Sequence, residues 1–177
     1  MATALLIIDV QQALCAGEDE CFEINRVIEN INHLSIRARI AGVPVVFIQH
    51  EETDGPLVHN SAGWQLAEGL ETEPEDIRVR KTTPDSFYQT HLQKLLQKEE
   101  VERLIICGLQ TDYCVNATVR QALILGYDVV LAADAHSTVD NGSLSAEEII
   151  AEHNKDLAHL TGSVARIDVI AAGQIRL

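Results

Sequence analysis

An α/β fold built on a parallel six-stranded sheet, in the order 3-2-1-4-5-6 with helices on both faces, follows from three features of the sequence. Apolar runs of strand length are continuous rather than alternating, as strands covered on both faces must be. Between them lie stretches whose apolar residues recur at three- and four-residue spacing, the period of an amphipathic helix. Glycines stand where one pattern gives way to the other. Strands alternating with helices, one after another, imply a parallel three-layer sheet.

The elements follow in order. Ala4–Asp9 is the first buried strand. Phe22–Ala41 is a helix, with Ile24, Val27, Ile28, Ile31 and Leu34 on one stripe, and Gly42 follows as its C-terminal stop. Val43–Gln49 is the second strand. Residues 51–75 are irregular, with a Gly55-Pro56 turn and one helical turn expected around Trp64–Leu66. Asp76–Arg80 reads as an edge-like third strand, and Tyr88–Gln97 as a helix. Arg103–Cys107, the helix Thr111–Leu125 and the strand Tyr127–Ala133 continue the alternation. Ser145–Leu160 is a helix opening on Ser145-Ala-Glu-Glu148, a capping box, and Ser163–Val169 is the last strand. No repeat or linker interrupts residues 1–177, so a single domain is expected.

The 177 residues carry 13 basic and 27 acidic side chains, a net charge of −14. Nucleic acid and anionic membranes call for basic footprints, so neither is expected as a partner. No apolar run approaches the roughly 18 residues that a membrane span needs. The four cysteines, at 15, 21, 107 and 114, form no C-x-x-C pair, and the first nine residues lack a basic leader. A reduced, cytoplasmic protein is the expectation.

In such sheets ligands bind beyond the carboxyl ends of the strands, where strand order reverses. Three chemically capable residues fall at strand ends: Asp9, Lys81 and Cys114. Cys114 sits in the first turn of a helix, whose N-terminus carries roughly half a positive charge and unpaired N–H groups. That environment should lower the thiol pKa and offer an oxyanion site. The order 3-2-1-4-5-6 makes the first and fourth strands neighbours, so Asp9 and Cys114 should face each other. An acid beside a thiol can take its proton, and an ammonium can hold both anions. Taken singly, each residue also has a structural reading, as a turn cap, a solvated charge or a small buried hydrophobe.

The segments Leu5-Leu-Ile-Ile-Asp-Val-Gln11, Val79-Arg-Lys81 with Ser86-Phe87, Cys107-Gly-Leu-Gln-Thr-Asp-Tyr-Cys-Val-Asn-Ala-Thr118 and Gly126-Tyr-Asp-Val-Val-Leu-Ala-Ala-Asp-Ala135 resemble the isochorismatase-like cysteine hydrolases. Nicotinamidases and N-carbamoylsarcosine amidohydrolase belong to that family. The resemblance implies Asp9 as general base, Lys81 as electrostatic partner and Cys114 as nucleophile. It implies a cis peptide at Leu109–Gln110, with the Gln110 and Cys114 N–H groups as the oxyanion hole. It also favours a homo-dimer or homo-tetramer.

Two departures bear on activity. The family's nicotinamidases hold a metal through an Asp-x-His pair after the second strand, whereas this chain reads Gln49-His50-Glu51-Glu52, with His59 farther on. The first carboxylate is displaced, so no metal or other cofactor is expected; His50, Glu52 and His59 are what a weak site would have to use. The family's vinyl-ether-cleaving members typically lack the cysteine, so Cys114 favours attack on an amide-like carbon. Gln11, His50, Trp64, Phe87 and Tyr113 are expected to wall the pocket for a small-molecule substrate. The expected function is C–N hydrolysis of a small amide, carbamoyl or cyclic amide compound through a thioester. The alternatives are a vinyl-ether hydrolase with Asp9 as acid and a non-catalytic binding protein on the same fold.

Overall fold

The computed structural model describes residues 1–160 and 164–177. Six parallel strands form one sheet: β1 (Thr3–Ile8), β2 (Val45–His50), β3 (Ile77–Lys81), β4 (Arg103–Leu109), β5 (Asp128–Ser137) and β6 (Ile167–Ile170). Their order is β3-β2-β1-β4-β5-β6, with every pairing parallel. The helices are α1 (Gln12–Cys15), α2 (Ile24–Ile40), α3 (Leu92–Lys98), α4 (Asn116–Ile124) and α5 (Ala146–Ala158).

Alternation along the strands divides the core between the two faces. Leu5, Ile7 and Phe47 pack with Val27, Ile31 and Leu34 of α2 on one side. Leu6, Ile8 and Ile48 meet Leu92 and Leu96 of α3, Val119 of α4 and Leu157 of α5 on the other. Burying a Leu or Ile contributes about 1.5–3 kcal/mol, which is why the central strands are apolar on both faces. The capping box at Ser145 is formed, its hydroxyl accepting from Glu148 N–H while the Glu148 carboxylate accepts from Ser145 N–H. No helix among the described residues is long and apolar enough to cross a membrane.

The structure amends several local expectations. The segment at 62–64 makes a hydrogen-bonded turn rather than a helical one, and Leu66 then bridges antiparallel to Gln11. The third helix starts four residues late, at Leu92, because a turn and a bend occupy 88–91. The fifth strand runs four residues past Ala133, since polar side chains at its end find partners in neighbouring elements. Of the expected last strand, Ile167–Val169 is extended and Ser163 lies outside the described residues.

Candidate active site

The centre of the sheet's carboxyl edge lies between β1 and β4. Gly108 has φ +116°, and a Cβ there would lie 2.1 Å from the Ile8 carbonyl oxygen, so only glycine lets the two strands close at this point. Asp9 follows β1 with φ +52°. A non-glycine residue in this left-handed region costs on the order of 1–3 kcal/mol and clusters at functional sites. Simple alternation would send Asp9 to the α2 face with Ile7. The left-handed turn carries its carboxylate instead to Lys81, whose strand neighbour Val79 faces the other layer.

Lys81 ends β3 and is 2% exposed. Its ammonium lies 2.9 Å from Asp9 Oδ2, 3.0 Å from the Thr83 carbonyl oxygen, 3.2 Å from Cys114 Sγ and 3.3 Å from His50 Nδ1. An ammonium has only three hydrogens, so these four acceptors compete for it. The other carboxylate oxygen of Asp9, Oδ1, is buried and receives no hydrogen bond.

Cys114 is half-buried in a single π-helical turn, Thr111–Val115, that leads into α4. The sequence indicated an ordinary helix start here; a π turn is a frequent local distortion at functional sites. The Leu109–Gln110 peptide before it is cis. The thiol does not have the lowered pKa expected of a helix N-terminus. Burial, then the Asp9 carboxylate, push it up to about 12, and Lys81 offsets this only in part. Desolvation of the thiolate is the largest cause, ahead of either charged neighbour.

His50 is held neutral, its pKa lowered first by burial and then by the Lys81 ammonium. Lys81 can only donate, so Nδ1 accepts and the ring proton sits on Nε2, 3.7 Å from Glu52 Oε1. His59 turns elsewhere, 3.4 Å from Glu51 Oε2 and edge-on to Trp64. His50, Glu52 and His59 therefore do not assemble into a ligand set. Among the described residues, the one trio with converging ligand atoms is Asp9, His50 and Cys114, within 4.8 Å of one another. The Lys81 ammonium contacts all three, so a metal would have to displace a buried cation.

Three of the expected pocket residues lie elsewhere. Gln11 is fully buried, with Nε2 donating to the carbonyls of His50 and Trp64 and Oε1 accepting from His50 N–H. It staples the loop to β2 and, fully buried, lies out of a substrate's reach. Phe87 packs in the core over Tyr127, with ring centres 6.0 Å apart. Trp64 borders a separate cavity of about 530 Å³ with Gln49, Arg78, Arg80 and His91. Tyr113, within the Thr111–Val115 turn and next to Cys114, is 59% exposed. All four cysteines are free, and Cys107 is fully buried, its thiol directed at the Leu6 carbonyl. Sequence reasoning passed over His136, fully buried near the end of β5 and hydrogen-bonded to Thr111; the polar run Asp134–Thr138 after an apolar strand was the available signal.

Residues 3–165 match the family model described as the isochorismatase domain. The chain belongs to the isochorismatase family. Over 138 residues it is 41% identical to streptothricin hydrolase of Streptomyces noursei, covering 77% of this chain and 50% of that protein. A second such hydrolase from that organism is covered to 55%, so the chain spans about half the length of these two relatives. It is 30% identical over 171 residues to a ureidoacrylate amidohydrolase of Pseudomonas savastanoi pv. phaseolicola, covering 75% of this chain and 69% of that protein. The crystal structure of an isochorismatase family protein superposes with a TM-score of 0.88 at 36% identity, covering 96% of this chain and 98% of that one.

Proposed function

We propose that this protein is a cysteine hydrolase that cleaves a C–N bond in a small amide, carbamoyl or cyclic amide compound. The observation that carries the reading is the meeting of Asp9, Lys81 and Cys114 at the mouth of the sheet, with Lys81 Nζ 2.9 Å from the carboxylate and 3.2 Å from the sulfur. The likeness to an amidohydrolase adds support.

With burial and the Asp9 carboxylate pushing its pKa up, the Cys114 thiol is protonated at pH 7, so the sulfur depends on a built-in proton acceptor. Asp9 is within reach of the thiol and has one oxygen free of hydrogen bonds. As Sγ attacks the amide carbon, the S–C bond forms, the thiol proton passes to Asp9 and the carbonyl electron pair moves onto oxygen. The Gln110 and Cys114 N–H groups are the donors for that oxyanion, each contributing about 3–4 kcal/mol. Collapse breaks the C–N bond, and the leaving nitrogen takes the proton from Asp9. Water then attacks the thioester, Asp9 receives its proton, the S–C bond breaks and the thiol is restored. Throughout, Lys81 keeps a positive charge beside whichever of carboxylate and sulfur is negative.

The test is a panel of small primary, carbamoyl and cyclic amides scored for ammonia or acid release, with hydroxylamine trapping of the acyl-enzyme. Turnover should vanish in Cys114→Ala, and the trapped acyl group should map to Cys114. Undiminished amide hydrolysis by Cys114→Ala would refute nucleophilic catalysis. If Cys114→Ala is active and Asp9→Asn is not, the vinyl-ether mechanism becomes the better account.

A further inference from the structure

Thr111, the first residue of the π turn, is tied to a buried polar chain that the proposed chemistry does not use. Thr111 Oγ1 lies 2.8 Å from His136 Nδ1, and His136 Nε2 lies 2.8 Å from Asn154 Oδ1 on α5. Asn154 Nδ2 donates to the Ala133 carbonyl at 3.0 Å, which fixes that amide with its oxygen toward the ring. Every direction in the chain is then determined. His136 Nε2–H donates to Asn154, so Nδ1 is bare and accepts the Thr111 hydroxyl proton. Thr111 and His136 are each 1% exposed, so water cannot replace these partners.

The sheet is distorted to bring His136 there. Between the pairs Ile106–Leu131 and Gly108–His136, β4 advances two residues while β5 advances five. The three extra residues form a bulge, a device that re-aims side chains beside active sites. The bulge is held from outside by Asn30 Nδ2 on the Asp134 carbonyl and by Asp134 Oδ1 accepting from Ala172 N–H. A second tie acts on the next turn residue, where Thr138 Oγ1 donates to Asp112 Oδ1 at 2.6 Å. An apolar side chain at 136 would fill the same core without the cost of burying an imidazole. The arrangement therefore points to a task at the turn.

We propose that His136, oriented by Asn154, is a positioning residue that holds the Thr111–Val115 turn through the Thr111 hydroxyl and so sets where the Cys114 sulfur stands relative to Asp9 and Lys81. The inference rests on the reading of Cys114 as nucleophile. His136 touches neither Cys114, Asp9 nor Lys81 and transfers no proton in the reaction. A sulfur displaced by about 1 Å from its attack position can lose roughly 10²-fold in rate, so the Thr111 tie at the start of the turn is a sensitive lever.

Thr111→Val, isosteric but without the hydroxyl, is the decisive variant. The readouts are the rate of Cys114 alkylation by iodoacetamide, mapped by mass spectrometry, and kcat and KM on the best amide of the panel. Thr111→Val should slow alkylation and lower kcat roughly 10- to 100-fold with KM little changed, and Thr111→Ser should restore both. Asn154→Ala, acting at the far end of the chain, should give the same pattern more weakly. Combining Thr111→Val with Asn154→Ala should be no worse than Thr111→Val alone. A purely structural role would lower the melting temperature yet leave alkylation and kcat per folded molecule unchanged, and that result overturns the proposal. So would a Thr111→Ser variant as slow as Thr111→Val. Should Thr111→Val fail to fold, the Asn154→Ala and Thr111→Ser rates decide by the same criterion. Alkylation needs no substrate, so a panel without turnover would count against the amidase reading and leave this comparison standing.

Discussion

Consecutive residues of β3 make two ion pairs of almost equal length with opposite surroundings. Arg80 reaches Glu51 at 2.7 Å with side chains 52% and 19% exposed, whereas Lys81 reaches Asp9 at 2.9 Å with side chains 0% and 2% exposed. Arg80 is bidentate on its carboxylate and the better hydrogen-bonded by geometry alone. Yet water competes for both of its partners, and an exposed pair contributes little. Lys81 has no water to fall back on; its charge is balanced by Asp9 and shared with Cys114 and His50. Distance does not distinguish the two pairs. What does is whether the cost of separating the charges falls on solvent or on the protein, and only the buried pair can perturb a neighbouring thiol.

That contrast can be broken most directly at Asp9. Asp9→Asn keeps the shape but removes the proposed proton acceptor, and amide turnover should drop at least about 10²-fold, the lower range for general acid–base catalysis. Steady-state rates on the amide panel measure it; a fall of less than about threefold would show that the thiol finds its base elsewhere.

Lys81→Ala should act on stability and reactivity together. It leaves the Asp9 carboxylate buried and unpaired, which destabilises by about 3–5 kcal/mol in denaturant titrations. Lys81 is also the neighbour that lowers the thiol pKa, so its loss should raise that pKa further and slow Cys114 alkylation at every pH below it.

The next effect is a pH dependence. Burial depresses the His136 pKa from 6.5 to about 4, with Asp134 and His153 the charged or titratable neighbours. The unfolded chain therefore binds a proton that the folded one refuses. The associated stability is present above pH 6.5 and is lost as pH falls from 6.5 toward 4, to the extent of about 3 kcal/mol. Thermal melts across that range should show an acid slope that is shallower in His136→Leu.

The smallest effect belongs to the exposed pair. Arg80→Ala should match the unsubstituted protein in melting temperature and turnover. A marked loss in either would mean that exposure is not what separates the two pairs.

The central strands were legible because burial on both faces leaves no room for polar alternation, and Asp9, Lys81 and Cys114 stand out where such runs end. Their convergence follows once strand order makes β1 and β4 neighbours. What stayed hidden depends on loops and on desolvation. Gln11 looked available for substrate, but a glutamine's partners are fixed by the path of residues 51–75, which no periodicity encodes. Phe87 and Trp64 read as pocket aromatics because an aromatic's sequence position does not say which cavity it meets. The sign of the thiol shift was not legible because a position at a helix start says nothing of how deeply the fold buries the sulfur. His136 was missed because the apolar pattern of the fifth strand ends at Ala133, within the bulge that brings His136 to the turn.

Gly108 gives the site its scale. Sites are usually described by the groups they bring together; here the spacing between the Asp9 carboxylate and the Cys114 sulfur is set by an atom that is missing. A single methyl at position 108 would run into the Ile8 backbone one residue before Asp9 and six before Cys114, wedging apart the two strands that carry them. The chain can exchange loops, and with them substrates, around that contact, while the contact itself acts as the gauge against which every such exchange is measured.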